Sequence, residues 1–467
     1  MSKLISTLRE AIERCGLADG MTISFHHHLR NGDRVLNMVM DEIAAMGFKD
    51  ITINASSIHD VHAPLVEHMK SGVVTGLETN YIGLAVGEAI SAGVLDKPVV
   101  FRTHGGRPAD IEKSASHIDV AFIAAPAADP QGNCTGMLGP SACGSLGYAF
   151  SDAACADKVV VITDYLLPYP LTIRSISESD VDYVVKVDSI GDPARIATGT
   201  TKMPRDPLAL RIADIAAKAI DASGLLKDGF SFQTGAGGAS LATASSLRRI
   251  IKEKNIRGSF ALGGITGYIV DMFHEGLFDS IQDVQCFDLK AVESLRNDPA
   301  HFEISAVEYA SPDAKSSAAS NLDIVVLGAT EIDLDFNVNV HTDSSGKIMG
   351  GSGGHSDVAE EAKLTVIVVP LSRARLSTIV DKVGCISTPG ACVDLLVTPA
   401  GIAVNPARAE LEQRLKAAHL PVVDIRWLRD KAMQLNGPAL KPEHTERVVA
   451  RVLDRRGNEI DRIYQMI

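Results

Sequence analysis

The sequence predicts an α/β protein with mainly parallel sheets flanked by helices. Three observations lead to this class. Continuous apolar segments of strand length recur along the chain, bounded by Gly, Pro or Asp, as is typical of strands buried on both faces. Helical periodicities lie between these segments, and strands that alternate with helices indicate α/β architecture. The 39 glycines among 467 residues suit the tight turns that such a fold needs.

Each predicted element has its own sequence pattern. The first residues predict an amphipathic helix with Leu4, Leu8 and Ile12 on one face. Pro207 opens a second helix that carries an apolar stripe. Seven segments have the apolar composition of strands: 98–101, 118–126, 158–163, 263–270, 322–328, 364–369 and 393–397.

The sequence also repeats itself at a nearly constant offset of about 200 residues. Related segments follow in the same order in both copies: 16–25 and 224–232, 116–119 and 320–323, Asp129 with Asn133 and Asp333 with Asn337, Lys158 and Lys363, and 181–185 and 393–397. Each match is weak, but the shared order predicts a duplication. We therefore expect two similar α/β domains, over residues 1–203 and 204–467, joined near residues 198–204.

Composition and charge exclude several classes of function. The 45 Lys and Arg against 58 Asp and Glu give a net charge of −13 without a basic run, which argues against nucleic-acid binding. No apolar run reaches the ~18–20 residues of a membrane span, and the first residues lack the apolar core of a signal peptide. Seven scattered cysteines without a C-x-x-C pair do not predict a disulfide framework. We expect a cytoplasmic protein.

Two glycine-rich segments are candidates for anion binding. Residues 233–240 resemble a strand-to-helix turn, where backbone N–H groups can approach an anion. Residues 349–357 contain four glycines and then His355, and several N–H donors there can surround a carboxylate or a developing oxyanion. A tight packing turn and a flexible surface loop are the respective alternatives.

Histidine and arginine side chains cluster in the first predicted domain. Residues 103–107 follow the strand at 98–101, and Arg107 there can bind a carboxylate through two hydrogen bonds. His59 and His62 have the spacing of a helical metal pair, but no cysteine or carboxylate stands beside them at ligand spacing. We expect no metal site, and the histidines are either polar substrate contacts or core residues. An exposed surface arginine is the alternative for Arg107.

Seven segments carry a family resemblance: 19–28, 143–148, 166–170, 260–266, 336–340, 351–355 and 401–408. They are similar to the alpha subunit of citrate lyase, and the similarity runs from about Lys3 to the C-terminus. The resemblance implies a coenzyme A transferase fold with two similar α/β domains. It also implies a reaction in which citrate replaces acetate on the thiol of a carrier group, giving a citryl-thioester and acetate.

The resemblance implies partners and substrates as well. Family members act with a beta subunit, which cleaves the citryl-thioester, and with a gamma acyl-carrier subunit that bears a phosphoribosyl-dephospho-coenzyme A group. Acetyl-coenzyme A can stand in for the carrier, and no cofactor is bound covalently to the alpha chain. We therefore expect an oligomeric assembly whose ligands are citrate, acetate and an acetyl-thioester.

Residue type and placement suggest roles for individual residues in this reaction. The residues expected to bind the carboxylates of citrate are His26, His28, Arg30, His104 and Arg107. The residues expected to bind the thioester or coenzyme A are Gly235, Gly237, Gly238, Gly351 and Asn337. The expected catalytic residues are Gly353, Gly354, His355 and Asp271, with His355 donating to an oxyanion or holding the citrate hydroxyl.

Asp271 marks a departure from the wider transferase superfamily. Related acetate and hydroxybutyrate transferases carry a Glu-Met-Phe-Ser-Asp-Gly-Leu-like segment whose Glu forms a covalent thioester. Residues 271–277 have an Asp in its place, with a side chain one methylene shorter. The resemblance implies that the citrate branch bypasses this carboxylate, because citrate attacks the acetyl-thioester directly and forms a citryl–acetyl anhydride. The covalent route and the anhydride route both stay open.

Three other functions compete with this interpretation. A transferase for another short carboxylic acid is the nearest alternative, although Asp271 and the histidine triplet 26–28 favour citrate. A sugar-phosphate sensor of the same fold would carry a basic helix-turn-helix, and neither terminus has one. A nicotinamide dehydrogenase would need the G-x-G-x-x-G fingerprint, which is absent.

Overall fold

The computed structural model describes residues 2–197, 203–235 and 237–467. Two large sheets flanked by helices form the molecule, one of ten strands and one of eight. Nearly all neighbouring strands are parallel, which confirms the predicted α/β class. None of the helices within these residues is both long enough and apolar enough to cross a membrane.

The strands are, in chain order, β1 (Leu4–Ile5), β2 (Thr22–Phe25), β3 (Ile51–Ala55), β4 (Val74–Thr79), β5 (Val99–Phe101), β6 (Val120–Ala124), β7 (Ala127–Ala128), β8 (Cys134–Thr135), β9 (Lys158–Thr163), β10 (Tyr183–Lys186), β11 (Ser231–Thr234), β12 (Gly258–Ile265), β13 (Phe278–Cys286), β14 (His301–Glu303), β15 (Ile324–Leu327), β16 (Glu331–Asp333), β17 (Val338–Asn339), β18 (Leu364–Val368), β19 (Ser372–Arg373), β20 (Leu376–Ser377), β21 (Ile379–Val380), β22 (Leu395–Thr398), β23 (Gly401–Val404), β24 (His444–Leu453) and β25 (Glu459–Met466). The α-helices are α1 (Leu8–Arg14), α2 (Val35–Ala45), α3 (Leu65–Lys70), α4 (Leu84–Ser91), α5 (Gly106–Glu112), α6 (Phe150–Cys155), α7 (Pro207–Ser223), α8 (Gly238–Lys254), α9 (Gly267–His274), α10 (Leu289–Asn297), α11 (Ala306–Ala310), α12 (His355–Glu361), α13 (Ala409–Ala417) and α14 (Ile425–Asn436).

The two large sheets share one strand order. The first is β1-β10-β9-β6-β2-β3-β4-β5-β24-β25, and the second is β14-β13-β12-β11-β15-β18-β22-β23. Seven strands of the first, from β10 to β5, therefore correspond in order to the seven from β22 to β14. The pairs β24–β25 and β22–β23 are antiparallel, and the other neighbours in both sheets are parallel. The matching order supports two similar domains, while a common origin by duplication stays a prediction.

The repeated Asp and Asn residues form the same turn in both halves. The Asn133 side-chain amide donates to Asp129 Oδ2 at 2.9 Å, and the Asn337 amide donates to Asp333 Oδ2 at 3.1 Å. In each turn the backbone N–H of the asparagine also donates to Oδ1 of the aspartate. The sequence repeat thus corresponds to a repeat of local structure.

The structure differs from two predicted elements. Leu4 belongs to strand β1, and α1 begins only at Leu8, because the Thr7 side chain caps it by accepting the Glu10 N–H. The segment 263–270, expected to be one strand, divides between the end of β12 and the start of α9. Residues 198–202 of the predicted junction lie outside the described residues.

The C-terminal hairpin belongs to the first sheet. Strand β24 pairs with β5, so that Ala450 lies opposite Val99 and Val452 opposite Phe101, and all four side chains are buried. The predicted division into 1–203 and 204–467 stays a prediction, but residues 444–466 complete the sheet of the first half rather than the second. The first half of the chain is residues up to 203, and the second half is the remainder.

Candidate active site

The carboxyl ends of strands from the first half meet a glycine loop from the second. Strand β5 ends shortly before His104, whose backbone N–H donates to the Gly353 carbonyl at 2.9 Å. The Gly353 N–H in turn donates to the carbonyl of Asn80, which follows β4, at 3.2 Å. The predicted ligand His104 and the predicted catalytic loop therefore share one interface between the two halves.

A ring cluster surrounds this contact. The His104 ring lies 4.3 Å from the Tyr148 ring and 5.5 Å from the His27 ring, centroid to centroid. His27, absent from the predicted site, accepts a hydrogen bond from the Ser56 hydroxyl and donates to Gln285 of the second half. Burial lowers the pKa of His104 to about 3. His104 is thus neutral at neutral pH and can donate without adding charge.

His26 and His28 form a hydrogen-bonded pair. Their Nδ1 atoms lie 2.8 Å apart, and the backbone N–H of Tyr148 points to His28 Nε2 at 3.4 Å. This contact assigns the donor N–H of the pair to His28 Nδ1, so that His26 carries its proton on Nε2. That buried nitrogen has no hydrogen-bond partner among the described residues, and burial lowers the pKa of His26 to about 4. His26 therefore has an unused donor, whereas both nitrogens of His28 are occupied.

Arg30 is a cation without an acidic partner. Its backbone has φ +50°, a conformation that is uncommon for residues other than glycine. The guanidinium carbon lies 4.7 Å from the centre of the Phe287 ring in the second half, and Nη1 is buried without a hydrogen-bond partner among residues 2–197, 203–235 and 237–467. Arg30 makes no salt bridge within the part of the chain that the structure describes. Because an unpaired cation that is partly buried loses hydration, this position suits an anionic ligand.

Further polar atoms without a hydrogen-bond partner among the described residues occur near the ends of strands, on residues outside the predicted set of citrate ligands. They are His59 Nε2, both amide atoms of Asn80, Gln233 Oε1 and Thr266 Oγ1. Buried polar groups normally have partners, so such atoms indicate contacts with a ligand or water. Their position at strand ends was the signal that could have identified them.

The loop glycines allow a close approach between the halves. A Cβ atom at Gly351 would lie 2.1 Å from the Asn80 carbonyl oxygen, so only glycine fits there. Gly353 has φ +52°, and a Cβ on it would lie 3.1 Å from His104 Nε2. Because the Gly353 N–H is already donated to Asn80, the Gly354 N–H is the better candidate donor to a ligand. It makes no hydrogen bond with the described residues.

His355 begins helix α12 directly after this loop. Its Nδ1 lies 2.8 Å from the Thr388 hydroxyl, and its Nε2 lies 2.9 Å from the Gly328 carbonyl, to which it donates. Burial lowers the pKa of His355 to about 4. Since both ring nitrogens of the neutral ring are occupied, the predicted donation from His355 to an oxyanion or hydroxyl is not supported by this arrangement. The ring instead fixes the start of α12.

The other glycine turn follows β11 and opens α8. The Gly235 N–H donates to the Val326 carbonyl at 2.8 Å and is therefore used within the sheet region. Gly237 precedes the helix without a side-chain cap, and Gly238 has φ +59°. Residue 236 lies outside the described residues. The amides of Gly237 and Gly238 remain the candidate donors of this turn.

The Arg107 guanidinium is bound by other protein groups. Its Nη1 and Nη2 donate to the two carboxylate oxygens of Asp152 at 2.7 and 2.8 Å, and its Nε donates to the Asn54 amide oxygen at 2.6 Å. Arg107 and Asp152 are both buried. Because Asp152 already supplies its counter-ion, this arrangement does not favour the binding of a citrate carboxylate by Arg107, which stays a prediction.

Asp271 and Asn337 also lie away from the candidate site. Asp271 is in α9, about half exposed, and forms a surface ion pair with Lys290. The expected placement of Asp271 directly after a strand is wrong, because 263–270 divides between β12 and α9, while its catalytic role stays a prediction. The Asn337 amide donates to Asp333 and accepts from the Gly390 N–H at 2.9 Å, so both its nitrogen and its oxygen already have protein partners, and its expected thioester contact stays a prediction.

One group of side chains with metal-ligand spacing occurs among residues 2–197, 203–235 and 237–467. It consists of His117, Asp119 and Asp157 near the surface. His62, weighed as a metal ligand together with His59, lies 3.1 Å from Asp33 instead and forms a buried pair with it.

Comparisons with known proteins show the family to which the chain belongs. The family model described as citrate lyase, alpha subunit, matches residues 1–466. The citrate lyase alpha chain of Escherichia coli K12 is 50% identical over 464 residues, which cover 99% of this chain and 91% of that protein. A crystal structure of a citrate lyase alpha subunit from Streptococcus mutans in complex with citrate has 49% identity and a TM-score of 0.98, covering 100% of this chain and 92% of that one. A malonate decarboxylase hetero-tetramer from Pseudomonas, in complex with malonate, shares the fold at 17% identity and a TM-score of 0.70, over 93% of this chain and 86% of that one. The chain belongs to the family of citrate lyase alpha subunits.

Proposed function

We propose that this chain exchanges acetate for citrate on a thioester, as the transferase component of a citrate lyase. Arg30 carries this proposal, because its guanidinium lies between the two halves without a carboxylate partner among the described residues. A tricarboxylate would supply the missing charge. His26 Nε2 and His104 are neutral donors, which can hold further carboxylate oxygens.

The anhydride route is the mechanism that the site supports best. A citrate carboxylate oxygen attacks the acetyl carbonyl carbon and the thiolate leaves, which gives a citryl–acetyl anhydride. The thiolate then attacks the citryl carbonyl carbon, and acetate leaves with the bridging oxygen. This sequence needs no enzyme carboxylate, in agreement with Asp271 lying on the surface in an ion pair. Holding two reactants together contributes several kcal/mol to such a reaction.

Backbone donors would stabilise the oxyanions of both steps. The Gly354 N–H and the amides of Gly237 and Gly238 at the start of α8 are the available donors in the two glycine segments. Preorganised N–H groups act strongly on a developing negative charge, because they need no reorientation during the reaction. Neutral imidazoles nearby favour this role, since a cationic ring would hold citrate too tightly in the ground state.

The partners follow from the same proposal. We propose a complex with a beta lyase subunit and a gamma acyl-carrier subunit, whose phosphoribosyl-dephospho-coenzyme A group carries the acyl chain as a substrate. Acetyl-coenzyme A would replace the carrier in solution. An oligomeric, cytoplasmic assembly without a nucleic-acid or membrane partner and without a covalently bound cofactor is part of this proposal.

The test is acetate release from acetyl-coenzyme A by the purified chain, with and without citrate. The expected result is citrate-dependent acetate together with citryl-coenzyme A, and activity that survives borohydride during turnover. Loss of activity to borohydride would indicate an acyl-enzyme and overturn the anhydride route. Acetate release with another short carboxylic acid but not with citrate would overturn the substrate assignment.

A further inference from the structure

We propose that Asp357 is a positioning residue, which fixes the turn carrying His104 and so sets where His104 meets citrate. Asp357 is the third residue of helix α12, two positions after His355. It was not among the predicted site residues. The inference rests on the proposed transferase function, in which His104 binds a substrate carboxylate.

The Asp357 carboxylate bonds across the interface to the turn between β5 and α5. The Thr103 hydroxyl donates to its Oδ1 at 2.6 Å, and the Gly105 backbone N–H donates to its Oδ2 at 2.9 Å. These two donors are the residues on either side of His104. The His104 N–H donates to Gly353, so three consecutive residues of the first half are bonded to the start of α12.

The turn is packed closely against the second half. A Cβ atom at Gly105 would lie 2.0 Å from the Ala310 carbonyl oxygen and 3.0 Å from Asp357 Oδ1. The Thr103 hydroxyl also accepts from the Gly106 N–H at 2.8 Å, at the start of α5. Contacts with the second half therefore help to place the backbone around His104, together with the hydrogen bonds within its own half.

Asp357 is buried, and its negative charge is balanced by an arginine from a third structural element, the C-terminal hairpin. Arg455, in the turn between β24 and β25, places Nε 3.9 Å from Asp357 Oδ1, pairs with Glu361, and donates to the Ala310 carbonyl at 2.7 Å. A buried carboxylate that accepts two hydrogen bonds and faces a cation is held in one orientation. The His104 turn, α12 and the hairpin thus meet at this carboxylate.

The contacts predict which substitutions preserve the arrangement. In Asp357→Asn, the amide oxygen can accept from Gly105 while the NH₂ group donates to the Thr103 hydroxyl, so the geometry is retained. Asp357→Leu has similar volume but no acceptor. Thr103→Val loses the hydroxyl at constant shape, and Thr103→Ser keeps it.

The experiment measures citrate and acetyl-coenzyme A KM values on the purified full chain. Thr103→Val and Asp357→Leu should raise the citrate KM about tenfold or more and leave the acetyl-coenzyme A KM within about twofold, since misplacement of one substrate ligand acts on that substrate. The citrate KM values of Thr103→Ser and Asp357→Asn should stay near that of the wild type. Combining Thr103→Val with His104→Ala should give the same citrate KM as His104→Ala alone, because both act through one side chain.

Asp394→Asn provides the matched control. Asp394 accepts the Thr365 N–H at 2.7 Å and pairs with Arg408 in the second half, away from His104. It should lower the melting temperature without changing either KM. A citrate KM within twofold of the wild type in folded Thr103→Val overturns the proposal, even if Asp357→Leu does not fold. A wild type without citrate-dependent acetate release would instead overturn the proposed function itself.

Discussion

The side-chain amide of Gln285 bonds to His27 at two points across the interface between the two halves. Its Oε1 accepts from the His27 ring Nε2 at 3.0 Å, and its Nε2 donates to the His27 carbonyl at 3.2 Å. Both residues are buried, and Ser56 occupies the remaining ring nitrogen. His27 thus differs from its neighbours in the histidine triplet, because it joins the halves rather than offering a donor to a ligand.

Gln285→Leu should therefore destabilise the protein by about 1–3 kcal/mol, because it leaves buried polar atoms of His27 without partners. Urea unfolding would measure the loss. Gln282→Leu, on the same strand, is the control, because the Gln282 side chain makes no hydrogen bond with the described residues. Equal losses of stability in Gln285→Leu and Gln282→Leu would contradict the interpretation that Gln285 joins the two halves through His27.

Arg30→Met should raise the citrate KM by about 10- to 100-fold, the effect of losing a charge-assisted contact of about 1.5–3 kcal/mol. The free energy of unfolding of Arg30→Met should not fall, because the variant removes a partly buried cation that lacks an acidic partner within the described residues. Arg211→Met, on the exposed surface of α7, is the control and should change neither quantity. A stability loss with an unchanged citrate KM would make Arg30 a structural residue.

The free energy of unfolding of Arg107→Met should be about 3–5 kcal/mol lower than that of the wild type, since the variant leaves the buried Asp152 carboxylate unpaired. Adding Asp152→Leu to Arg107→Met should restore much of that stability, which denaturant titration of both variants would show. In the folded fraction we expect an unchanged citrate KM. A raised KM at unchanged stability would return Arg107 to the substrate site.

Asp271→Asn should keep kcat within about twofold of the wild type, because a half-exposed surface ion pair contributes little and its carboxylate lies on α9. Steady-state rates with acetyl-coenzyme A and citrate would measure this. A loss of 100-fold or more would place Asp271 in the chemistry and favour a covalent route.

The protein should lose stability as the pH falls from about 6.5 towards 4. Burial lowers the pKa of His26 and His355 to about 4, and of His104 and His341 to about 3. The unfolded chain binds protons at these rings first, near pH 6.5, so their contribution is complete above that pH and is lost below it. Thermal melting from pH 7.5 to 5 would show a falling midpoint.

Glu303 opposes this trend and offers a variant that tests it. Burial raises the pKa of Glu303 to about 7, so the folded state binds its proton first and gains stability as the pH falls through 7. Glu303→Gln removes this gain, and the midpoint should then fall more steeply between pH 7 and 5. If the melting temperature of Glu303→Gln fell less steeply with pH than that of the wild type, the raised pKa of Glu303 would be contradicted.

The strands were predictable where both faces are buried. The segments at 158–163 and 364–369 became β9 and β18 because continuous apolar runs have few other stable arrangements in a sheet flanked by helices. Strands β24 and β25 were missed, since their charged and half-exposed residues do not form such a run. Their place beside β5 depends on a contact distant in sequence.

The sequence identified site residues correctly only where a position near the end of a strand is enough to place a side chain in the site. Arg30 and His104 lie near strand ends, and the structure leaves their side chains with unused nitrogens. Arg107 has the same signal, but the sequence does not show that Asp152, 45 residues away, binds its guanidinium. Asp271 was misplaced because a short apolar run fits a strand end and a helix equally well.

The C-terminal hairpin also has a consequence for how the protein is made. Strand β24 is synthesised roughly 350 residues after its neighbour β5, so a ribosome leaves the edge of β5 uncovered through most of translation. The Arg455 contact with Asp357 likewise cannot form until the hairpin has left the ribosome. The turn that carries His104 therefore acquires its final support among the last events of biosynthesis, and nascent chains should need protection of that edge until then.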